Sequence, residues 1–528
     1  MLLADVASTS RALAATRSRI AKRALLVDLL RRTPPPDVPV VAHYLAGSLR
    51  QRRTGLGWRS LATLPAAAAE PSLTVAEVDE AFARMATLEG AGSATERGAL
   101  ARVLLSAATV DEQTFLRGLV TGEVRQGALD ALLLDAIAEA SGVPAELVRR
   151  AAMLTGETAA VAAAALGAGG SDDAARALGA IGLTVGRGIR PMLAQSAPDV
   201  TAALAALPGG EPGSAVGVPA EAAVDAKLDG IRIQVHRWSA DGASHVRVLT
   251  RSLDDVTARV PGVVEIALEL PASTFVLDGE ALAVDDAGRP VAFQETASRA
   301  ATADLQVAAE QRLRPYFFDV LHLDGADLLD APLRERLTAL DGLLASHPGA
   351  AVPRVVTSDP RRAQAHLDAT LAAGHEGVVV KSLAAPYAAG RRGAAWVKVK
   401  PRHTLDLVVL AVERGSGRRS GLLSNIHLGA RDGRGGFVML GKTFKGMTDE
   451  MLAWQTARFR ELEVADDGWV VTVRPEQVVE IAFDGVQRST RYPGGVALRF
   501  ARVLRYRDDK PAAEADSLDA VRAHLVRP

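Results

Sequence analysis

The sequence predicts a multidomain protein: an all-α region, then a mixed α/β domain, then an all-β domain. Three observations carry this. Up to about Ala180, apolar residues recur at three- and four-residue spacings, the period of amphipathic helices. From about Gly186 the texture changes to alternating β-branched runs with helical patterns between several of them. Beyond Pro401 short strand-like runs and turn clusters suit a small β-barrel. The domains expected are 1–186, 187–402 and 403–528, within the roughly two to four that such a length suggests.

In the first region VDEAFARMATL, ATERGALARVLLSAA and LDALLLDAIAEASG read as helices of an antiparallel bundle, and VPAELVRRAA carries a proline at a helix start. Between two of them TGEVRQGALD holds Arg125 and two glycines, which composition alone reads as an ordinary turn. A loop-rich stretch, 196–220, precedes the strands AVDAKL, IRIQVHRW, HVRVLT, TFVLDGEALAV, PYFFDVLHL, GVVVKS and AWVKVK. The third region offers LDLVVLAVE, IHLGAR, GFVMLGKTF, VVEIAF and LRFARVLRYR.

The hydrophobic fraction of 48% and mean hydropathy of +0.11 are enough for several buried cores. No apolar run approaches the ~20 residues that span a bilayer, and the N-terminus lacks a secretory core, so a soluble, cytoplasmic chain is expected. The absence of cysteine excludes disulfides, thiol chemistry and cysteine-ligated zinc. A net charge of −1 leaves a nucleic-acid partner open, because patches matter and totals average over them.

Chemistry concentrates in the middle region. In AVDAKLDGIRIQVHR, Asp229-Gly230 between alternating runs signals a hairpin, with Lys227 and Arg232 flanking the turn. On spacing alone a surface lysine on a solvated hairpin is the simpler reading. In FVLDGEALAV, Asp278 and Glu280 share a face, and in HEGVVVKS, Glu376 is expected to point with Val378 and Val380. Carboxylates in apolar strands require partner cations. In AWVKVKP, Lys398 and Lys400 alternate on one face. Such groups form either a phosphate and metal site or a self-satisfying ion network, and both stay open at this point.

K-L-D-G-I-R resembles motif I, K-x-D-G-x-R, of the nucleotidyltransferases that include ATP-dependent DNA ligases, RNA ligases and capping enzymes. TRSLDDVT, LDGE, YFFD, EGVVVK, WVKVK and RYRDDK resemble motifs Ia, III, IIIa, IV, V and VI in the family's order, from Lys227 to Lys510. PMLAQ, TGEVRQG and GKTFKGMTD resemble further segments of the replicative-type ATP-dependent DNA ligases, so the likeness covers nearly the whole chain. It implies a helical DNA-binding domain, an adenylyltransferase domain and an OB-fold closing around nicked double-stranded DNA, with Arg125 a DNA contact. A monomer is expected, because the family's clamp closes within one chain. RNA ligases and capping enzymes normally lack the helical domain, and NAD-dependent ligases carry a four-cysteine zinc module absent here. A catalytically dead scaffold is disfavoured by the intact motif residues.

The resemblance implies that Lys227 attacks the α-phosphorus of ATP, that AMP then passes to the 5′-phosphate of the nick, and that the 3′-hydroxyl displaces it. A free lysine is mostly protonated at neutral pH; the cations Lys398 and Lys400 would favour the neutral amine while stabilising phosphate oxygens. Asp225 would lie near adenine, with Arg232 and Arg251 on the nucleotide. Phe318 would stack on the base, with Phe317 the one-residue alternative. Glu280 would contact the ribose or a metal-bound water, Glu376 would help bind Mg²⁺, and Arg392 would add a phosphate or nucleotide contact. Asp509 and Lys510 would approach ATP when the barrel closes. The arginines of RFARVLRYR suit either an exposed edge strand or a DNA backbone contact.

Overall fold

Thr74 and Thr109 each precede a helix, and each accepts the backbone N–H of the glutamate three positions on, while that glutamate accepts the threonine N–H. These capping boxes satisfy donors that a helix start leaves orphaned. They recur within a region of ten described α-helices between Leu3 and Gly179, whose apolar stripes meet in one core containing Leu29, Val41, Phe82, Ile137 and Val161. The computed structural model describes residues 1–51, 53–124, 130–208, 221–285, 289–291, 295–296, 298–299, 313–388, 392–416 and 419–525, without the side chains of 392–394. No described helix is long and apolar enough to cross a membrane.

The alternating runs form strands β1 (Leu193–Ala197), β2 (Ala222–Lys227), β3 (Ile231–Ala240), β4 (Ala243–Thr250), β5 (Phe275–Leu282), β6 (Arg314–Leu323), β7 (Ala326–Asp327), β8 (Arg354–Thr357), β9 (Gly377–Ser382) and β10 (Arg392–Val399). They assemble into two five-stranded sheets, ordered β1-β10-β9-β2-β8 and β4-β3-β5-β6-β7. The helices Pro261–Glu269 and Leu333–Leu343 contribute to the core of the second sheet, and Pro360–Ala372 to that of the first. Within the 196–220 stretch a short helix, Val200–Ala205, packs Val200 and Leu204 against Val378 and Val380, while 209–220 lie outside the described residues.

The hairpin expected at Asp229-Gly230 does not form. Strands β2 and β3 belong to different sheets, and residues 228–230 carry the chain from one to the other. Gly230 has no positive φ; instead, a Cβ there would sit 2.4 Å from the Ala281 carbonyl oxygen. Close packing on β5, and not turn geometry, selects this glycine.

Both faces of β3 are covered. Ile233 and Val235 enter the apolar core, while Gln234 accepts the Ile189 N–H at 2.8 Å and His236 Nδ1 accepts the Gly186 N–H at 3.0 Å. Burial, with Arg247 adding to it, pushes the His236 pKa down to about 3. The unfolded chain then binds a proton below about pH 6.5 that the native protein refuses. The associated stability is complete above about pH 6.5 and is lost as pH falls toward the folded value. Between about pH 7 and about pH 5 this loss amounts to about 2 kcal/mol. His236→Gln is expected to lose correspondingly less over that interval in urea titrations; parallel losses in both proteins would refute the assignment.

After Pro401 the strands are β11 (His403–Arg414), β12 (Leu423–Arg431), β13 (Phe437–Thr443), β14 (Glu463–Asp466), β15 (Val470–Val473), β16 (Val478–Phe483), β17 (Gly485–Arg488), β18 (Val496–Arg499) and β19 (Arg502–Arg507). Seven form one sheet with β11 pairing β12, β15 and β16, while β17 and β18 pair separately. The helix Asp449–Glu461 adds Phe459 to a core with Leu407, Ile426 and Ile481. The chain is thus a helical region, a mixed α/β domain and a β-rich, OB-like domain.

Candidate active site

A cavity of about 760 Å³ opens where β2 leaves its sheet, bounded by both sheets of the middle domain and by the C-terminal domain. Lys227 ends β2 there. Its ammonium donates to the Glu376 carboxylate and, at 3.3 Å, to the Leu228 carbonyl. The other Glu376 oxygen accepts from Lys400 at 2.5 Å, so one carboxylate bridges two ammoniums. Burial raises the Glu376 pKa, but Lys227 and Lys400 outweigh it and hold the group below the ordinary glutamate range.

The expectation that Glu376 points with Val378 and Val380 is overturned. Those valines lie in the core on the far side of the sheet, whereas Glu376, Val379 and Lys381 line the cavity. The alternation slips at Gly377, whose φ of +147° is open chiefly to glycine and where a Cβ would lie 2.1 Å from the Val399 carbonyl oxygen.

The two β5 carboxylates have different occupations. Asp278 is buried, accepts both arms of the Arg232 guanidinium at 2.6 Å and takes the Tyr387 hydroxyl at 2.7 Å. Glu280 faces the cavity, accepts the Gly230 N–H at 3.3 Å and has its pKa pushed up to about 7 by burial, against the pull of Arg232 and Lys227. Sequence therefore left open a choice that the structure divides: Asp278 belongs to an ion network and Glu280 to the cavity.

Phe318 lines the cavity, while Phe317 is fully buried in the core beneath the second sheet. The Arg232 guanidinium lies 4.7 Å from the Phe318 ring centroid. Asp225 reaches the cavity, paired with Arg354 at 3.1 Å and Lys381 at 2.5 Å. Lys381 was not among the residues singled out from sequence. Its ammonium is buried 4.4 Å from the Phe318 ring centroid and 4.3 Å from that of Trp396. Burial lowers its pKa, against Asp225. The available signal was a lysine closing an apolar run, a position that needs a buried partner.

Arg251 and Lys398 also line the cavity. Arg125 lies outside the described residues, as does the Arg392 side chain at the start of β10. Asp509 and Lys510 are absent from the described lining: Asp509 pairs with Arg507 at 2.7 Å and Lys510 with Asp406 at 2.8 Å. The C-terminal domain instead reaches the site through Arg499, which donates to Asp229 at 2.7 Å, and Asp484, 3.5 Å from Lys400. Phe500 holds a φ of +54° and leaves its ring exposed at the cavity edge. Among the described residues no cluster of three or more His, Cys, Asp or Glu side chains is arranged to hold a metal.

Three family models match the chain in order. "DNA ligase N terminus" covers residues 62–138, "ATP dependent DNA ligase domain" 191–400 and "ATP dependent DNA ligase C terminal region" 419–510. A "Probable DNA ligase" of Beutenbergia cavernae is 66% identical over 522 residues, spanning 99% of each chain. One of Kineococcus radiotolerans with the same name is 62% identical over 527 residues, again spanning 99% of each. A solved structure described as "Pmar-Lig_PreS3" matches 95% of this chain and 99% of its own with a TM-score of 0.62 at 16% identity, a likeness of fold.

Proposed function

The chain belongs to the ATP-dependent DNA ligase family and seals nicks in DNA, and we propose that Lys227 is the residue that becomes adenylylated. The observation that carries this assignment is the convergence of Lys227, Glu376, Lys400 and the Phe318 ring on one cavity. The Lys227 amine, once deprotonated, forms a bond to the α-phosphorus of ATP as pyrophosphate leaves. The 5′-phosphate of the nick then takes AMP from Lys227, and the 3′-hydroxyl attacks that phosphate and releases AMP. Each step is an in-line displacement, so the protein's work is positioning and charge stabilisation.

The Lys227 ammonium donates to Glu376, and the amine must leave that carboxylate to attack phosphorus. Lys398 and Lys400 supply positive charge to the phosphate oxygens. Glu280 and Glu376 suit a hard cation, since both present carboxylate oxygens to the cavity and Glu280 lacks a cation of its own close enough to hold it in the ordinary range. Mg²⁺ held there would neutralise phosphate charge during transfer. Phe318 offers a flat face to the base. Arg232 braces that ring and, with Arg251 and Arg392, contacts the nucleotide. Asp225 and Lys381 place an acceptor beside a donor, matching the amino group and ring nitrogen on the pairing edge of adenine; guanine presents the opposite order. Arg125 contacts the DNA backbone from the helical region.

Incubated with α-labelled ATP and Mg²⁺, the protein is expected to retain label in a denaturing gel and to discharge it onto nicked duplex DNA. Labelling from GTP should be at least about 100-fold weaker, since a site built around specific hydrogen bonds rejects a mismatched edge. Persistent failure of the folded protein to label with ATP would remove the reading, and sealing of nicked RNA alone would reassign it.

A further inference from the structure

The C-terminal domain contributes Lys445, Arg499, Phe500 and Arg502 to the cavity wall. Arg499 is committed to Asp229, and Arg502 lies 3.9 Å from Asp484. Lys445 differs. Among the described residues it makes no ion pair, and its ammonium stands 5.6 Å from the Phe500 ring centroid. Its backbone is strapped in place. Thr443 Oγ1 donates to the Ala501 carbonyl at 2.6 Å and accepts the Lys445 N–H at 3.2 Å, and the Lys445 carbonyl accepts the Val503 N–H at 2.9 Å. The turn after β13 is thereby tied to the segment that carries Phe500 and Arg502.

Other cations of this domain are held elsewhere. Arg505 pairs with Glu480 at 2.7 Å, Arg507 with Asp509 and Asp406, and Lys510 with Asp406. None of the three is in the described lining of the cavity. Lys445 therefore shares a cavity with Arg251, Lys398 and Lys400 without a carboxylate of its own. The described lining sets nine lysines and arginines against five aspartates and glutamates, and an excess of positive charge around one space favours entry of an anion.

We propose that Lys445 is a phosphate-binding residue of the ligation reaction, donating its ammonium to a phosphate lying between the C-terminal domain and the lysines of the β10 segment. This rests on the ligase reading above. Two sources share that chemistry, the 5′-phosphate of the nick and the outer phosphates of ATP. With the RYRDDK cations held away from the cavity, the nick is the expected source.

The test compares wild type, Lys445→Ala and Lys445→Arg in three assays: labelling from ATP, sealing of a chemically pre-adenylylated nick, and the salt dependence of binding to nicked duplex. Lys445→Ala is expected to slow sealing about 10-fold, the scale of a lost hydrogen bond to a charged group. It should also reduce the slope of log K against log salt by about one, as for one phosphate contact. Lys445→Arg should restore both. A raised KM for ATP in labelling, with sealing and salt slope unchanged, would assign the contact to ATP and support the same phosphate role. Wild-type rates and slope for Lys445→Ala in all three assays would overturn it. Wild-type sealing in the same experiment tests the ligase reading separately.

Discussion

Lys227→Ala is expected to leave a folded protein that takes no label from α-labelled ATP, a loss of at least about 10⁴-fold, as befits removal of a covalent nucleophile. The side chain ends at the cavity, and Glu376 keeps Lys400 as a partner after the truncation, so the fold has little reason to suffer. Lys227→Arg should be no better. A guanidinium cannot shed its proton at accessible pH and has no free amine to attack phosphorus. A pre-adenylylated nick should still be sealed by Lys227→Ala, because the bond that Lys227 makes is already replaced by one in the DNA. Residual labelling in the variant would move the nucleophile to another cavity lysine, with Lys381, Lys398, Lys400 and Lys445 all in the described lining. Loss of sealing on the pre-adenylylated nick would mean that Lys227 also acts after adenylylation.

Asp319→Ala should destabilise the middle domain by about 3–5 kcal/mol, the range for stranding a buried charge. Asp319 is the last residue of YFFD, adjacent to Phe318, yet it points away from nucleotide chemistry. Both it and Arg336 are fully buried, and the guanidinium donates to its carboxylate at 2.7 and 3.1 Å and to the Ala331 and Ala385 carbonyls at 2.6 and 3.2 Å. These bonds tie β6 to the helix Leu333–Leu343 beneath it. Removing Asp319 alone strands a guanidinium in a dry core. Replacing both residues with apolar ones of similar size should recover much of the loss, since desolvation offsets most of a buried pair's attraction. Urea midpoints of the single and double variants decide this. A single-variant midpoint close to wild type would contradict the stated role of the pair.

The residues around Phe318 show why legibility was uneven. Alternation places consecutive residues on opposite faces, and the resemblance of YFFD to a known motif left Phe317 and Phe318 as the only choices. Which face looks into the cavity depends on the neighbouring sheet and was not written in those four residues. The same limit produced the error at Glu376. Strict alternation was a sound default, and it failed where Gly377 bends to clear the Val399 carbonyl on another strand. The hairpin signal at Asp229-Gly230 misled for a related reason: the glycine answers packing against Ala281, a contact about fifty residues distant in sequence.

The order of helical, mixed and β-rich regions, the strand-forming runs and the chemical types of the site were legible from residue order. Periodicity and composition act over a few neighbouring positions, and the motif order adds Lys227 and its companions through family resemblance. Partnerships were not legible. Lys227 meets Glu376 across 149 positions, Arg354 reaches Asp225 across 129, and Arg499 reaches Asp229 across 270. A charge of one sign in a sequence accepts many partners of the other, and burial is set by every element packed around it. Only the assembled sheets and domains choose which carboxylate braces an arginine, as Asp278 does, and which faces the cavity, as Glu280 does.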